Sequence, residues 1–238
     1  MHRLPISRRH LLALLASGTG TGALAQTSSS APLKLMVPFT PGTGIDLIAR
    51  TLGPKLAQRL NRPVVVENRV GASGNIGTEA VVRAAPDGAT LLVSVNTLVM
   101  NRSLYPQLNF DPVTDLEPVS QTSWGQLLLV THPQSGLKTA TDLVQAARQR
   151  PGQINYASPG VGTPHHLSME MFKNTAKLFL VHIPYRGTGP ALNDVLAGRI
   201  EFMSAGTPAL LPHIKSGRLK ALAVTSAQRL PGFEQIPT

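Results

Sequence analysis

Residues 33–46 read LKLMVPFTPGTGID and combine an apolar run, a glycine-containing loop and the start of a helical pattern. Leu33 to Phe39 is a predicted strand, and the apolar spacing from Asp46 to Leu60 predicts a helix. A loop between a strand end and a helix start presents unpaired amide N–H groups and the positive end of the helix dipole, which favour an anion. The alternative is that the glycines only permit a tight turn.

The same alternation of strand and helix continues along the chain. It is typical of βαβ units with mostly parallel sheets, and the number of strands predicts an α/β fold of two lobes. We assign residues 26–118 and 225–238 to lobe one, and 119–224 to lobe two. Lobe one is expected to be incomplete, because a chain that returns from lobe two needs further residues to finish it. Beyond the first unit, strands are predicted at 64–66, 90–95, 127–131, 154–157, 179–183, 200–203 and 219–224, with helices at 77–85, 141–150, 164–174, 190–197 and 208–216.

Residues 1–25 have the pattern of an export signal. Arginines at positions 3, 8 and 9 precede a short apolar run, and Ala23-Leu24-Ala25 places small residues where a signal peptidase cleaves. The apolar run is too short to span a bilayer. Export by the Sec or the twin-arginine route is therefore predicted, and the style of the signal indicates a bacterial periplasm.

Composition excludes several classes of protein. The 238 residues contain no cysteine, which removes disulfides, thiolate metal sites and cysteine nucleophiles. Aromatic residues make up only 4%, which argues against a base-stacking surface for nucleic acid. The net charge is +10, but the basic residues are scattered, so the charge indicates either a basic surface without a special role or mild steering of anionic solutes. No nucleic-acid partner and no membrane-embedded segment are predicted.

Three further glycine-rich loops connect a strand to a helix. With residues 38–46 as the first loop, the second is 68–77 (NRVGASGNIG), the third is 157–166 (ASPGVGTPHH) and the fourth is 184–189 (PYRGTG). The second differs from a dinucleotide fingerprint in its glycine spacing, and no acidic residue closes a following strand. Two loops fall in each predicted lobe, so a cleft between the lobes would collect all four and present backbone donors to one small anion.

Several polar residues leave alternatives open. Asp46 either caps its helix or faces the cleft and selects an amine or hydroxyl of a ligand. Arg186 is either a solvated turn residue or the partner of a distal ligand carboxylate. His165, His166 and Glu170 could offer metal ligands, but adjacent histidines point in different directions, so a capping or surface role is favoured. The nucleophile-elbow, P-loop and zinc-protease motifs are absent from the sequence, which predicts no enzyme, metal or cofactor.

Six motifs together resemble one family, the Bug or TctC-like extracytoplasmic solute-binding receptors of tripartite tricarboxylate transporters. The similarity runs in order from about residue 33 to 230. Two departures are a threonine, Thr43, where the family usually has a second glycine, and a C-terminus earlier than that of other members. The motifs are VPFTPGTGID at 37–46, VVENRVGASG at 65–74, APDG at 85–88, YASPG at 156–160, HIPYRG at 182–187 and KALAV at 220–224.

The resemblance implies a type II periplasmic-binding-protein-like fold that closes over a carboxylated metabolite, held through backbone donors and ordered water. The ligand-binding residues that it implies are Phe39, Gly42, Thr43, Gly44, Asp46, Thr97, Ser158, Gly162, Thr163, His166, Tyr185, Arg186 and Gly187.

The implied function is that of a monomeric receptor that delivers a small organic anion to the membrane components of the transporter. Two alternatives belong to different classes. One is an orphan or sensory binding protein that signals its ligand to a membrane regulator, and the other is an exported hydrolase or metal enzyme built on His165 and His166.

Overall fold

The computed structural model describes residues 31–238. The predicted signal peptide, residues 1–25, lies outside the described residues. Within this range the strands are β1 (Leu33–Val37), β2 (Val64–Asn68), β3 (Thr90–Leu92), β4 (Leu127–Thr131), β5 (Asn155–Ser158), β6 (Val181–Pro184), β7 (Phe202–Gly206) and β8 (Lys220–Val224). The α-helices are α1 (Gly44–Leu60), α2 (Asn75–Val82), α3 (Thr97–Leu104), α4 (Ala140–Gln149), α5 (Pro164–Ala176), α6 (Thr188–Leu196) and α7 (Thr207–Lys215).

The first sheet has three parallel strands in the order β2-β1-β3. The central strand β1 is buried along most of its length because it is paired on both edges and packs against helices. Leu33, Leu35 and Val37 from this strand join Ile45 and Ala49 of α1 in one apolar cluster. The register pairs Val37 with Asn68, so β1 and β2 end side by side and the first and second loops leave the sheet as neighbours.

The second sheet has five strands in the order β6-β5-β7-β4-β8. Strand β5 is parallel to both neighbours, whereas β4 is antiparallel to β7 and β8. Mostly parallel pairing was predicted, and the reversed β4 is the exception in a fold class that is otherwise as expected. Because β5 and β6 run parallel in register, the third and fourth loops also leave adjacent strand ends.

Capping residues set the start of two of the four helices that connect the strands of the second sheet. Thr139 caps α4 in a reciprocal capping box with Asp142, and Thr163 caps α5 ahead of a proline. The other two helices begin earlier than predicted. Helix α6 begins at Thr188, after Gly187, and not at residue 190, and α7 begins at Thr207, after Gly206, and not at residue 208. In both cases a proline near the helix start allows the turn N-terminal to it to be helical as well.

Helix α3 was not predicted. Its sequence, TLVMNRSL, has no proline or glycine boundary and carries polar residues in the middle of its apolar pattern. It nevertheless places two polar side chains, Thr97 and Asn101, in the interior at 1% exposure each.

The C-terminal residues of the described chain contact the second sheet. The amide of Val224 donates to the carbonyl of Pro237 at 2.8 Å, and Ile236 is buried in the apolar cluster around β4 and β7. The lobe boundaries assigned from the sequence, including the placement of 225–238 with lobe one, stay predictions. Among residues 31–238, no helix combines the length and apolar character that crossing a membrane requires.

Candidate functional site

The first loop is braced by a buried carboxylate. Asp46 accepts from the amide of Gly42 at 2.9 Å, from Arg50 Nε at 3.0 Å and from Asn68 Nδ2 at 2.9 Å. Asn68 Nδ2 also donates to the carbonyl of Phe39 at 3.0 Å. Burial raises the pKa of Asp46, but the hydrogen bonds from Arg50, Gly42 and Asn68 outweigh it and leave the pKa below its ordinary value. Both carboxylate oxygens are therefore occupied in holding the loop.

Two threonines of the first loop differ in the hydrogen bonding of their hydroxyl groups. Thr43 occupies the N-cap of α1, but its hydroxyl donates to the carbonyl of Thr40 at 3.0 Å instead of capping the helix. Gly44 is the first residue of α1 and faces Pro208 of α7. Thr40 has a buried hydroxyl with no hydrogen-bond partner among the described residues.

The second loop has four consecutive residues with positive φ, at Gly71, Ala72, Ser73 and Gly74. Ala72 and Ser73 are not glycines, and a left-handed conformation at such residues persists only where neighbouring contacts fix it. Ser73 makes two such contacts. Its carbonyl oxygen accepts from Asn101 Nδ2 at 3.1 Å, and the Ser73 hydroxyl donates to the carbonyl of Val161 at 2.5 Å.

The third loop is held by hydrogen bonds within itself. Thr163 Oγ1 donates to the carbonyl of Gly160 at 2.7 Å and accepts from the amide of His166. His166 Nδ1 in turn accepts from the amide of Gly162 at 3.2 Å. Ser158 is fully buried, and its hydroxyl accepts from the Gly160 amide. The loop is thus a preformed turn.

Three stacked aromatic rings, those of Tyr156, His182 and His166, lie next to the third loop. His182 Nε2 lies 2.6 Å from Ser158 Oγ, and its ring stacks on His166 and Tyr156 at centroid distances of 4.2 and 4.9 Å. Burial lowers the pKa of His182 to about 4, and the repulsion between two protonated rings, His182 and His166, acts in the same direction. Burial also lowers the pKa of His166, so these rings are neutral near pH 7.

The residues considered for a metal enzyme do not converge. Within residues 31–238, no group of three histidine, aspartate or glutamate side chains is placed to hold a metal ion. His166 lies 3.8 Å from Glu170, whose carboxylate is paired with Lys173 at 2.7 Å and with the hydroxyl of Tyr156. His165 turns its Nδ1 into the interior, where burial lowers its pKa to about 4.

The fourth loop requires a glycine and places a tyrosine. Gly187 has φ +115°, and a Cβ there would lie 2.4 Å from Thr40 Cγ2 of the first loop. The hydroxyl of Tyr185 donates to Asp194 at 2.7 Å, and burial with this acceptor raises the pKa of Tyr185 to about 12. Arg186 is exposed and forms no ion pair with any residue in 31–238.

All four loops line one cavity of about 210 Å³. Its walls are formed by residues 38–39, 70–74, 159–161 and 184–187, together with Tyr105. The loops of the two sheets also touch directly, because Tyr105 OH donates to Ser73 Oγ at 3.0 Å and Ser73 bonds to Val161. We call Ser73, Tyr105 and Val161 the Ser73 bridge. The expected gathering of the loops around a shared crevice is therefore present.

The structure distributes the predicted site residues between the wall of the cavity and its support. Phe39, Tyr185, Arg186 and Gly187 line the cavity. The others are not among the lining residues. Gly44 begins α1 and Thr97 is buried in α3. The remaining seven hold the loops in the contacts described above, and they are Gly42, Thr43, Asp46, Ser158, Gly162, Thr163 and His166.

Sequence reasoning missed the residues that join the loops. Ser73 and Tyr105 line the cavity, and Asn101 supports Ser73 from behind. Tyr105 and Asn101 belong to or follow the unpredicted helix α3. A serine residue does not by itself indicate a positive φ. The one signal in the sequence was the position of Ser73 between Gly71 and Gly74, since glycines favour unusual turns.

Comparison with known proteins assigns the fold and the family. Residues 48–238 match the sequence model described as the tripartite tricarboxylate transporter family receptor, TctC. Protein BugT of Bordetella pertussis is 38% identical over 227 residues, which are 94% of this chain and 70% of BugT. Because the family is one of receptors, the prediction that the chain is not an enzyme is confirmed.

Solved structures agree. The periplasmic binding protein BugD superposes with a TM-score of 0.82 at 33% identity, covering 87% of this chain and 69% of BugD. The R. palustris protein Rpa4515, solved with adipate, gives a TM-score of 0.84 at 33% identity, covering 87% of this chain and 70% of that one. The predicted α/β fold of the periplasmic-binding-protein class is confirmed by these matches. The chain belongs to the tripartite tricarboxylate transporter receptor family, as the motifs of its four loops indicated.

Proposed function

We propose that the chain is a periplasmic solute-binding receptor that holds a small carboxylated metabolite in the cavity between its four loops and delivers it, as a monomer, to the membrane components of a tripartite transporter. The observation that carries the proposal is the convergence of loops from both sheets on one cavity. Family membership supports the receptor role, and the adipate in Rpa4515 supports a carboxylate as the ligand class. The description of BugD as periplasmic agrees with the export signal predicted at residues 1–25.

The donors that would meet a carboxylate are backbone amides and one guanidinium. Gly71, Val161 and Arg186 line the cavity, and their amide N–H groups have no hydrogen-bond partner within residues 31–238. The Arg186 side chain is the one cation among the lining residues of the described chain. A carboxylate in the cavity would exchange its hydration for these fixed donors, and binding by preorganised donors loses little affinity to ordering.

The cavity volume limits the size of the ligand. About 210 Å³ is below the roughly 300–1,000 Å³ that drug-sized ligands occupy. A short-chain organic acid fits this volume better than a nucleotide or an oligosaccharide does.

Isothermal titration calorimetry of the mature protein with adipate, citrate and benzoate tests the proposal. We expect binding of at least one of these acids, and about tenfold or greater loss of its affinity in Arg186→Gln, because a charge-assisted hydrogen bond is removed. Arg59→Gln, on the exposed last turn of α1, is the matched control and should bind as the parent does. An absence of heat with all three classes of acid would contradict the proposal.

A further inference from the structure

Five backbone carbonyl oxygens of the cavity lining are already used by the protein. The carbonyl of Val161 accepts from Ser73 Oγ at 2.5 Å, and that of Gly160 accepts from Thr163 Oγ1 at 2.7 Å. The carbonyls of Phe39, Gly71 and Pro159 accept from Asn68 Nδ2, the Gly74 amide and the Gly187 amide. These five acceptors are therefore engaged before a ligand enters the cavity.

No carboxylate compensates for this within the described residues. Neither aspartate nor glutamate lines the cavity in the 31–238 range. The two acids that brace the surrounding loops are both engaged elsewhere. Asp46 is held by Gly42, Arg50 and Asn68, and Asp194 accepts from Tyr185 OH at 2.7 Å and from Arg199 at 2.9 Å.

Donors, in contrast, remain free. The unpartnered amides of Gly71, Val161 and Arg186 and the unpaired Arg186 guanidinium, described above, all belong to lining residues. The lining within the described residues thus combines free hydrogen-bond donors and a positive charge with no carboxylate.

We infer that the cavity selects organic acids without an ammonium group over the α-amino acids of the same carbon skeleton. An ammonium group brings three donors and no acceptor. It would find no carboxylate among the lining residues of the described chain, and it would sit beside the like charge of Arg186. Leaving such a charged donor unsatisfied costs about tenfold to a hundredfold in affinity. The inference rests on the proposed function and narrows its ligand class.

Calorimetry with matched pairs tests the inference on the mature protein. The pairs are succinate with aspartate, glutarate with glutamate, and 3-phenylpropanoate with phenylalanine, which differ in each case by one ammonium group. We expect the acid without the ammonium group to bind at least tenfold more tightly in every pair that binds. An amino acid that binds as tightly as its partner, or more tightly, overturns the inference and leaves the proposed function standing. Heat from no member of any pair contradicts the proposed function itself.

A substitution at Ala72 tests the physical cause. Ala72 lines the cavity and has φ +45°, a conformation that aspartate and asparagine adopt more readily than alanine. Ala72→Asp adds the missing carboxylate, whereas Ala72→Asn adds a side chain of the same shape without the charge. We expect Ala72→Asp to shift the affinity ratio of a binding pair at least tenfold toward the amino acid, and Ala72→Asn to shift it far less. Equal shifts in the two variants would overturn the explanation that the cavity lacks a carboxylate for an ammonium group.

Discussion

At the scale of single residues, the side chains behind the cavity carry as much of the site as those that line it. Asp46 left two alternatives at the level of the sequence, a helix cap or a ligand selector, and the structure shows a third arrangement. Its carboxylate ties the Gly42 amide to Arg50 and Asn68, so it shapes the first loop without facing the cavity. The sequence could not reveal this, because Asn68 is supplied by a different strand and its distance depends on the register of β1 with β2.

Gly187 offers a prediction with a matched control two residues away. A Cβ at Gly187 would lie 2.4 Å from Thr40 Cγ2 and would have to adopt φ +115°, whereas a Cβ at Gly189 meets nothing within 4 Å. We expect Gly187→Ala to lower the free energy of unfolding by about 1–3 kcal/mol through strain and collision, and Gly189→Ala to leave it unchanged or slightly raised. Urea unfolding of the two variants measures the difference. Equal unfolding midpoints would show that the fourth loop does not press against the first.

The buried histidines predict a dependence of stability on pH. Burial lowers the pKa of His165 to about 4, from 6.5 in an unfolded chain. Between these two values the unfolded chain binds more protons than the folded one, so the free energy of unfolding falls as the pH falls through this window. One such histidine contributes a slope of at most about 1.4 kcal/mol per pH unit, and His182 adds a slope of the same sign.

Urea unfolding at several pH values from 7 to 4.5 measures this slope. His165→Gln has no charge at any pH in the window, so its unfolding free energy should fall less steeply than that of the parent. Asp46 does not interfere, because its lowered pKa confines its own loss of stability to more acidic conditions, as the pH falls below the ordinary range of an aspartate. Parallel curves for the parent and the variant would contradict the burial of a neutral His165.

At the scale of secondary-structure elements, the sequence was most informative where apolar runs are flanked by proline or glycine. The strands and most helices were predicted within a few residues. Short apolar runs such as Val64 to Val66 and Leu127 to Thr131 are typical of strands in parallel and mixed sheets. Helix α3 was missed because Asn101 and Arg102 interrupt its short apolar pattern. The antiparallel direction of β4 was also missed, since strand direction depends on the path of the chain and not on local composition.

The Ser73 bridge gives a prediction about the elements that meet at the cavity. Ser73 Oγ is the donor that joins the second loop to the third, and Tyr105 OH donates to it. Ser73→Ala removes this link, so the hydrogen bonds of the neighbouring loop amides should open more often and these amides should exchange faster with deuterium. The amides concerned are those of Gly74, Gly160, Gly162 and Thr163. Ser216→Ala, which removes a bond to the carbonyl of His213 on α7 and a bond from Arg218 Nε, is the control and should leave these amides unaffected. Unchanged exchange in Ser73→Ala would mean that the bridge does not hold the loops together.

At the scale of the whole molecule, the two sheets act as separate platforms whose strand ends face one cavity. The sequence could predict the four loops and their partnership, because each shows a strand end, glycines and a helix start. It could not separate residues that line the cavity from those that support it. Phe39 and Gly42 lie three positions apart in one loop, yet Phe39 lines the cavity and Gly42 donates to Asp46. A ligand that bonds to loops of both sheets would be released when the sheets move apart, which is consistent with the proposed function.

A crystal structure of the mature protein with the tightest-binding acid of the calorimetric series tests the central claim most directly. We predict a carboxylate oxygen within about 3.2 Å of unpartnered amides from loops of both sheets, among them Gly71, Val161 or Arg186, with the Arg186 guanidinium turned toward a ligand charge. A ligand bound at another surface, or held by the loops of one sheet alone, would contradict the account.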